Sequence, residues 1–337
     1  MNKPSTMEPT SHEGASRVRR MSRDALTRLA IQAFGLTSFY LLICVFFALR
    51  SEQFLTFSNV VIILSNISVI GIVAIGQAIV IISGGFDLSV SGTVPLGAVI
   101  FATLINTEIA TPLAMVITLL VGLLVGLCNG LLVTRAGINP LIATLGTLSI
   151  TGGLALTVTG GLTRGFEYPE AGILAESSIA GLPNHILALF VISLISYLVL
   201  NYTVFGRSVY AIGGNREASR LAGLRTDLIT TAVYMICATL SSFAGIIVAS
   251  QLLAGSATLG SNSALTSIAA VVLGGASLSG GKGGIFGTLT GVLVLGTLAN
   301  GLALLAVPAF YQQIATGVVL LLAVGFGRMR ALFGVED

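Results

Sequence analysis

Tryptophan is absent from this 337-residue chain, histidine occurs twice and cysteine three times. Without tryptophan, the residue that commonly marks membrane interfaces is missing. Cys44, Cys128 and Cys237 stand far apart with no metal-ligand spacing and no CxxC pair. All three fall inside apolar blocks, where a small buried side chain is expected. His12 and His185 offer no paired metal ligands, and no Ser/His/Asp set is available. These absences argue against an enzyme, and no metal or cofactor of its own is expected. Charge is scarce too, at 9% of residues, where a soluble domain carries roughly 25%. So few charges could not clothe a water-facing surface. The net charge of +3 is small and implies no nucleic-acid partner. With Asp87 as the one acid near a membrane-core segment, a proton-driven relay has little to work with.

What is present is apolar: 55% of residues are hydrophobic, and the mean hydropathy is +1.00. The apolar residues come in blocks, and about 20 residues suffice to cross a bilayer core. The blocks run over 29–49, 60–82, 90–105, 112–133, 141–158, 186–202, 228–249, 258–275, 285–305 and 310–326. The expected fold is therefore all-α, a polytopic transmembrane bundle of about ten spans. The third and eighth blocks are short and adjoin glycine-rich stretches, as broken or half-length helices do when buried in protein. The expected organisation is a basic cytoplasmic tail over 1–28, a permease domain over 29–327 and a short cytoplasmic tail over 328–337. The first tail holds five arginines and suits the surface of anionic lipid or the orienting of the first span. With the N-terminus inside, all but Arg50 and Arg164 of the 16 basic residues fall in cytoplasmic segments. That bias supports an even number of spans, with both termini cytoplasmic in a multi-pass inner-membrane protein.

Two loops are long. The outside loop 159–185 is glycine-rich and holds three glutamates. The inside loop 203–227 contains Gly213–Gly214–Asn215, a turn followed by a helix N-cap signal. Residues 216–224 then read as a short amphipathic helix, with Ala218, Leu221 and Ala222 on the apolar side and Arg216, Glu217 and Arg220 on the polar side. Gly223 suits its end. Such a helix fits a protein partner, a lipid surface or an ordinary solvated loop. Asp87, in Gly84–Gly85–Phe86–Asp87–Leu88–Ser89, is either a path or gate residue or an N-cap of the third helix. The stretch 273–284 superficially resembles a phosphate loop. Ala276 and Gly283 occupy the positions that need Gly and Ser/Thr, so ATP binding is excluded there. A tight turn allowing close helix packing fits better. The second and third of these segments share Gly84/Gly274, Gly85/Gly275, Leu88/Leu278 and Ser89/Ser279, a weak sign of an internal repeat.

Asn66, Gln77, Asn129 and Asn300 lie within apolar blocks. With Asp87 they are candidates for a polar translocation path suited to a polyhydroxylated solute. The amides serve equally as plain interhelical links. Gly122/Gly126, Gly152/Gly153 and Gly287/Gly291 read as close helix contacts.

Three passages together resemble the ribose, xylose and galactose permease family of ATP-binding cassette importers. They are Ile82 to Val90, Gly206 to Asn215 with Ala218–Gly223 following, and Ile268 to Gly281 with Asn300–Gly301–Leu302. The resemblance spans about 54–325. It implies a type II importer architecture with a second permease copy, as a homodimer or paralogous heterodimer. It also implies ATP-binding subunits on separate chains and a periplasmic or lipid-anchored solute-binding protein. The family's ATPase-coupling loop maps onto Asn215, Arg216, Glu217, Ala218, Arg220, Leu221 and Gly223. ATP would be bound and hydrolysed by the partner. Two departures stand out: Ala264 and Thr266 replace acids common in relatives, and Ser91–Gly92 reverses the usual Gly-Ser order. The expected function is import of a sugar, most simply a monosaccharide. The alternatives are nucleosides or branched-chain amino acids through the same architecture, or a stand-alone secondary transporter.

Overall fold

The computed structural model describes residues 36–179, 181–318 and 321. Both polar tails lie outside the described residues. Twelve helices are labelled in chain order. They are α1 (Leu36–Arg50), α2 (Phe57–Ile82), α3 (Val90–Asn106), α4 (Thr111–Thr134), α5 (Pro140–Thr159), α6 (Asn184–Tyr202), α7 (Val204–Gly214), α8 (Arg216–Leu221), α9 (Thr226–Leu252), α10 (Ser263–Leu273), α11 (Ile285–Leu304) and α12 (309–318). Six of these, α2, α4, α5, α6, α9 and α11, are long and apolar enough to cross a membrane. The helix at each expected block is present. However, α3 has 17 residues and α10 has 11. At 1.5 Å per residue these span about 25 and 17 Å, short of a core of ~30 Å. The first and last blocks extend beyond the described residues.

Burial sorts the helices. The end of α2 from Gly71 to Ile82 is buried without interruption, and α9 packs against α2, α3 and α4. By contrast α4, α5 and α6 expose Leu120, Leu124, Ile150, Leu154, Phe190 and Leu194. A helix apolar all round belongs in a large core or in lipid. The two central helices take the first place and the three outer ones the second. The chain is a multi-pass membrane protein.

Small residues let α4 approach the central α9 closely, as membrane helices do when van der Waals packing drives association. A Cβ on Gly122 would come 2.5 Å from Ser242 Cβ, one on Gly126 2.5 Å from Met235 Cα, and one on Gly130 2.7 Å from Thr231 Cα. Gly287 and Gly291 of α11 meet Gly274 and Ala270 at the end of α10 in the same way. Around Gly152 the packing runs through backbone: a Cβ added to Gly92 of α3 would lie 3.1 Å from Gly152 N. Among the described residues nothing lies within 4 Å of a Cβ added at Gly152 or Gly153 itself. Cys237 is buried as expected, whereas Cys128 is exposed on α4 and Cys44 is half-buried.

The loop 159–185 is folded. Its strand β1 (Arg164–Gly165) pairs antiparallel with β4 (Ala254–Gly255) beyond the end of α9. Phe166 is buried edge-to-face on Phe101 of α3, with ring centroids 6.1 Å apart. Two further short strands, β2 (Ser177–Ile179) and β3 (Leu182–Pro183), form a second antiparallel pair before α6.

Candidate functional site

Between α2 and α3 the chain leaves helical geometry for Ser83–Ser89. Gly84 takes the left-handed conformation, with φ +83°. Its N–H donates to Ile81 O, and the Gly85 N–H donates to Val80 O. The end of α10 repeats this arrangement: Gly275 at φ +89° donates to Val272 O, and Ala276 donates to Val271 O. The left-handed glycine pairs Gly84 with Gly275, one residue off the Gly84/Gly274 match in sequence. The polar turns that follow keep the sequence offset. Asp87 Oδ1 accepts from Ser89 N at 2.9 Å, and Ser277 Oγ accepts from Ser279 N at 3.3 Å.

Asp87 is fully buried, and the structure joins it to Asn129. Ser89 Oγ donates to Asp87 Oδ1 at 2.5 Å, and Asn129 Nδ2 donates to Ser89 Oγ at 2.8 Å. Thr147 Oγ1 donates to Asn129 Oδ1 at 2.6 Å. This line of hydrogen bonds ties the α2–α3 break to α4 and α5. Asp87 thus serves the turn at Ser89. It does not cap the first N–H groups of α3, and Ser89, at the N-cap, makes no side-chain capping bond to them. Burial requires polar groups to find partners, yet Asp87 Oδ2 and Gln77 Nε2 have none among the described residues. Both residues lie beside Cys237, whose Sγ is 3.9 Å from Gln77 Oε1 and whose thiol adjoins the Asp87 carboxyl. Tyr234, one turn before Cys237 on α9, donates to Phe86 O at 3.2 Å.

The other two amides stand apart. Asn300 Nδ2 donates to Asn59 Oδ1 at 3.0 Å, and Asn59 Nδ2 donates to Phe54 O at 2.9 Å, an interhelical link between α11 and α2. Asn66 is exposed on α2 and joins none of these groups.

Sequence reasoning missed a polar cluster around His185. Its Nδ1 lies 2.8 Å from Leu174 O, so that nitrogen carries the proton, and Nε2 is left to accept from Ser65 Oγ at 2.8 Å and Gln251 Nε2 at 3.1 Å. The cluster pins the loop 159–185 to α2, α6 and α9. A buried histidine at the start of a span was its only trace in the sequence.

The helices α7 and α8 meet at Asn215, whose side chain accepts from Ala218 N at 2.9 Å, the expected cap. The α8 helix ends at Leu221, short of the expected 224, and Gly223 follows at φ +87°. Ser219 faces the bundle and is buried. Ala218, Leu221 and Ala222 face outward, Leu221 being 80% exposed. The apolar side of α8 is thus uncovered. Its charged residues are paired locally: Arg220 with Glu217 at 3.0 Å and Arg216 with Asp227 at 2.9 Å.

The α7 helix is joined to the membrane part through bare backbone. Gly281 N donates to Ile82 O at 2.9 Å, and a Cβ on Gly213 would run into Ile82 O and the Gly281 N–H. Gly84 faces Gly213 at van der Waals distance. Tyr210 of α7 donates to Gly283 O at 2.9 Å, and burial raises its phenol further above the ordinary value, so it remains a donor. The three segments singled out in sequence therefore meet at one junction. Ala264 and Thr266 lie at the start of α10. Ala264 is buried, and its N–H donates to Ser91 Oγ of α3 at 2.8 Å, while Thr266 Oγ1 turns back to Asn262 O at 3.1 Å.

Residues 59–324 match the family described as branched-chain amino acid transport system / permease component. The chain is similar to the ribose import permease protein RbsC of Bacillus subtilis, at 39% identity over 84% of this chain and 89% of that protein. It is 37% identical to RbsC of Escherichia coli K12 over 81% of this chain and 87% of that one. With the L-arabinose transport system permease protein AraH of the same organism it shares 37% identity over 88% and 90% of the two chains. No solved structure matches it.

Proposed function

The chain belongs to the branched-chain amino acid transport system / permease component family, and from that premise we infer that it is the membrane-spanning subunit of an ATP-driven importer that moves a sugar, a monosaccharide, inward. The observation that carries the sugar reading is the similarity to ribose and arabinose permeases along most of the chain. The permease holds no phosphate loop, so its power comes from an ATP-binding subunit on another chain. We take the working unit to be two permease copies of about ten spans each in the inner membrane, termini cytoplasmic, with a solute-binding protein outside.

The coupling element in this reading is α8. Its capped start, buried Ser219 and outward Leu221 present one short apolar face to a cytoplasmic partner. The backbone junction passes its movement to the α2–α3 break. The buried line from Asp87 to Thr147 ties that break to α4 and α5, where a gate would act. Among the path candidates, Asp87 and Asn129 belong to that line, and Gln77 adjoins it through Cys237.

Arg220→Glu tests the coupling. The side chain is 67% exposed, so folding should persist. Uptake should fall about tenfold or more while the ATPase subunit continues to hydrolyse ATP. Unchanged uptake in that variant would remove α8 from the coupling role. The family description favours a second reading, branched-chain amino acids as cargo. Competition of labelled ribose, arabinose, leucine and a nucleoside for uptake separates the two.

A further inference from the structure

The α4 and α9 helices are joined by the glycine contacts at Gly122, Gly126 and Gly130, yet their outer surfaces leave two adjoining grooves. The one toward the cytoplasm has a volume of about 700 Å³ and is lined by Leu127, Leu131 and Met235 on the membrane side and by Arg135, Arg220 and Arg225 at its mouth. The second, of about 370 Å³, continues along the same helices past Met235 to Leu123, Ile236 and Leu240. Ala232 and Met235 line both. Together they are basic at one end and apolar for the rest.

The mouth sits where a headgroup would be. Arg135 directly follows the last residue of α4, and Arg225 directly precedes the first of α9. The two spans are antiparallel, so both guanidinium groups lie at one membrane face, the face the positive-inside bias assigns to the cytoplasm. The single acid lining the groove, Asp227, is engaged by Arg216 at 2.9 Å, and Arg220 is engaged by Glu217 at 3.0 Å. Arg135 and Arg225 have no ion-pair partner among the described residues. The mouth therefore carries uncompensated positive side-chain charge, while the positive end of the α9 dipole and the negative end of the α4 dipole offset each other there.

We propose that this groove binds one anionic glycerophospholipid of the inner leaflet, with its phosphate and acidic headgroup on Arg135 and Arg225 and an acyl chain laid along α4 and α9. Charge complementarity selects the headgroup, because permanently charged guanidinium groups attract phosphate oxygens. The apolar continuation selects a lipid over a free phosphate. The proposal rests on the chain spanning a membrane and is independent of α8 as the coupling element.

Native mass spectrometry of the full chain in detergent tests it, with dioleoylphosphatidylglycerol and dioleoylphosphatidylcholine as competing probes. Phosphatidylglycerol should be retained preferentially as a single adduct. A basic residue near a charged membrane surface contributes roughly a factor of five. Arg135→Gln with Arg225→Gln should therefore weaken phosphatidylglycerol retention about 30-fold, and the matching double lysine variant should restore most of it. Ala232→Phe, which fills the shared stretch of groove, should also expel the lipid. A melting profile taken alongside identifies any variant that has lost its fold, and the lysine pair then carries the comparison. Equal retention of the two lipids, undiminished retention in the double Gln variant, or displacement by glycerol 3-phosphate at comparable concentration would each overturn the proposal.

Discussion

At Asp87 one carboxylate oxygen accepts from both the backbone and the hydroxyl of Ser89, and the other has no donor among the described residues. Removing the side chain leaves the Ser89 N–H without its acceptor and loosens the bonds running on to Asn129 and Thr147. A buried group left unsatisfied costs about 1–3 kcal/mol. Asp87→Ala should therefore melt well below the parent in detergent, with little uptake. Asp87→Asn keeps the accepting oxygen and should stay within about 1 kcal/mol of it. Equal melting of the two variants would show that the Ser89 bonds do not hold the turn. Asp87 and Asn129 were legible in the sequence because an acid and an amide stand out in apolar blocks. Ser89 and Thr147 were not, since serine and threonine in helices usually bond their own backbone. Thr147 does this too, donating to Ala143 O at 3.0 Å, and only tertiary placement adds its second partner.

Elements were more legible than their contacts. The helix positions followed from the apolar blocks, and the short α3 and α10 from their glycine-rich borders. The reading of the third and eighth blocks as short or half-length helices fits α3 and α10, which have 17 and 11 residues. Glycine pairs in sequence marked close helix contacts without naming the partners, which are α9 for Gly122 and Gly126, the end of α10 for Gly287 and Gly291, and α3 near Gly152. Spacing does not reveal whether a neighbour is present. The junction of α7 with α2 and the α10–α11 turn gives the sharpest test at this scale. An added methyl on Gly213 meets main-chain atoms of Ile82 and Gly281, which cannot swing aside, whereas one on the adjacent Gly214 meets nothing within 4 Å. Overpacking of this kind costs roughly 1–3 kcal/mol. Gly213→Ala should lower the melting temperature and uncouple uptake from ATP hydrolysis, and Gly214→Ala should leave both near the parent. Paired transport and ATPase assays distinguish the two.

For the whole molecule, the apolar blocks pointed to a membrane transporter, and the family match to a transport permease agrees; that it is driven from elsewhere is the part to be tested. Reconstituted alone in liposomes, the chain should accumulate no labelled pentose against a gradient. With its ATP-binding subunit, a solute-binding protein and ATP, it should. Concentrative uptake by the chain alone, under a proton or sodium gradient, would instead make it a secondary transporter.

The meeting of Gly84, Gly213 and Gly281 has a further consequence. Three stretches of main chain touch there with no side chain between them, so the joint offers nothing to trim, lengthen or recharge. A change of cargo or of cytoplasmic companion must be accommodated at other surfaces, while this hinge point stays either whole or broken.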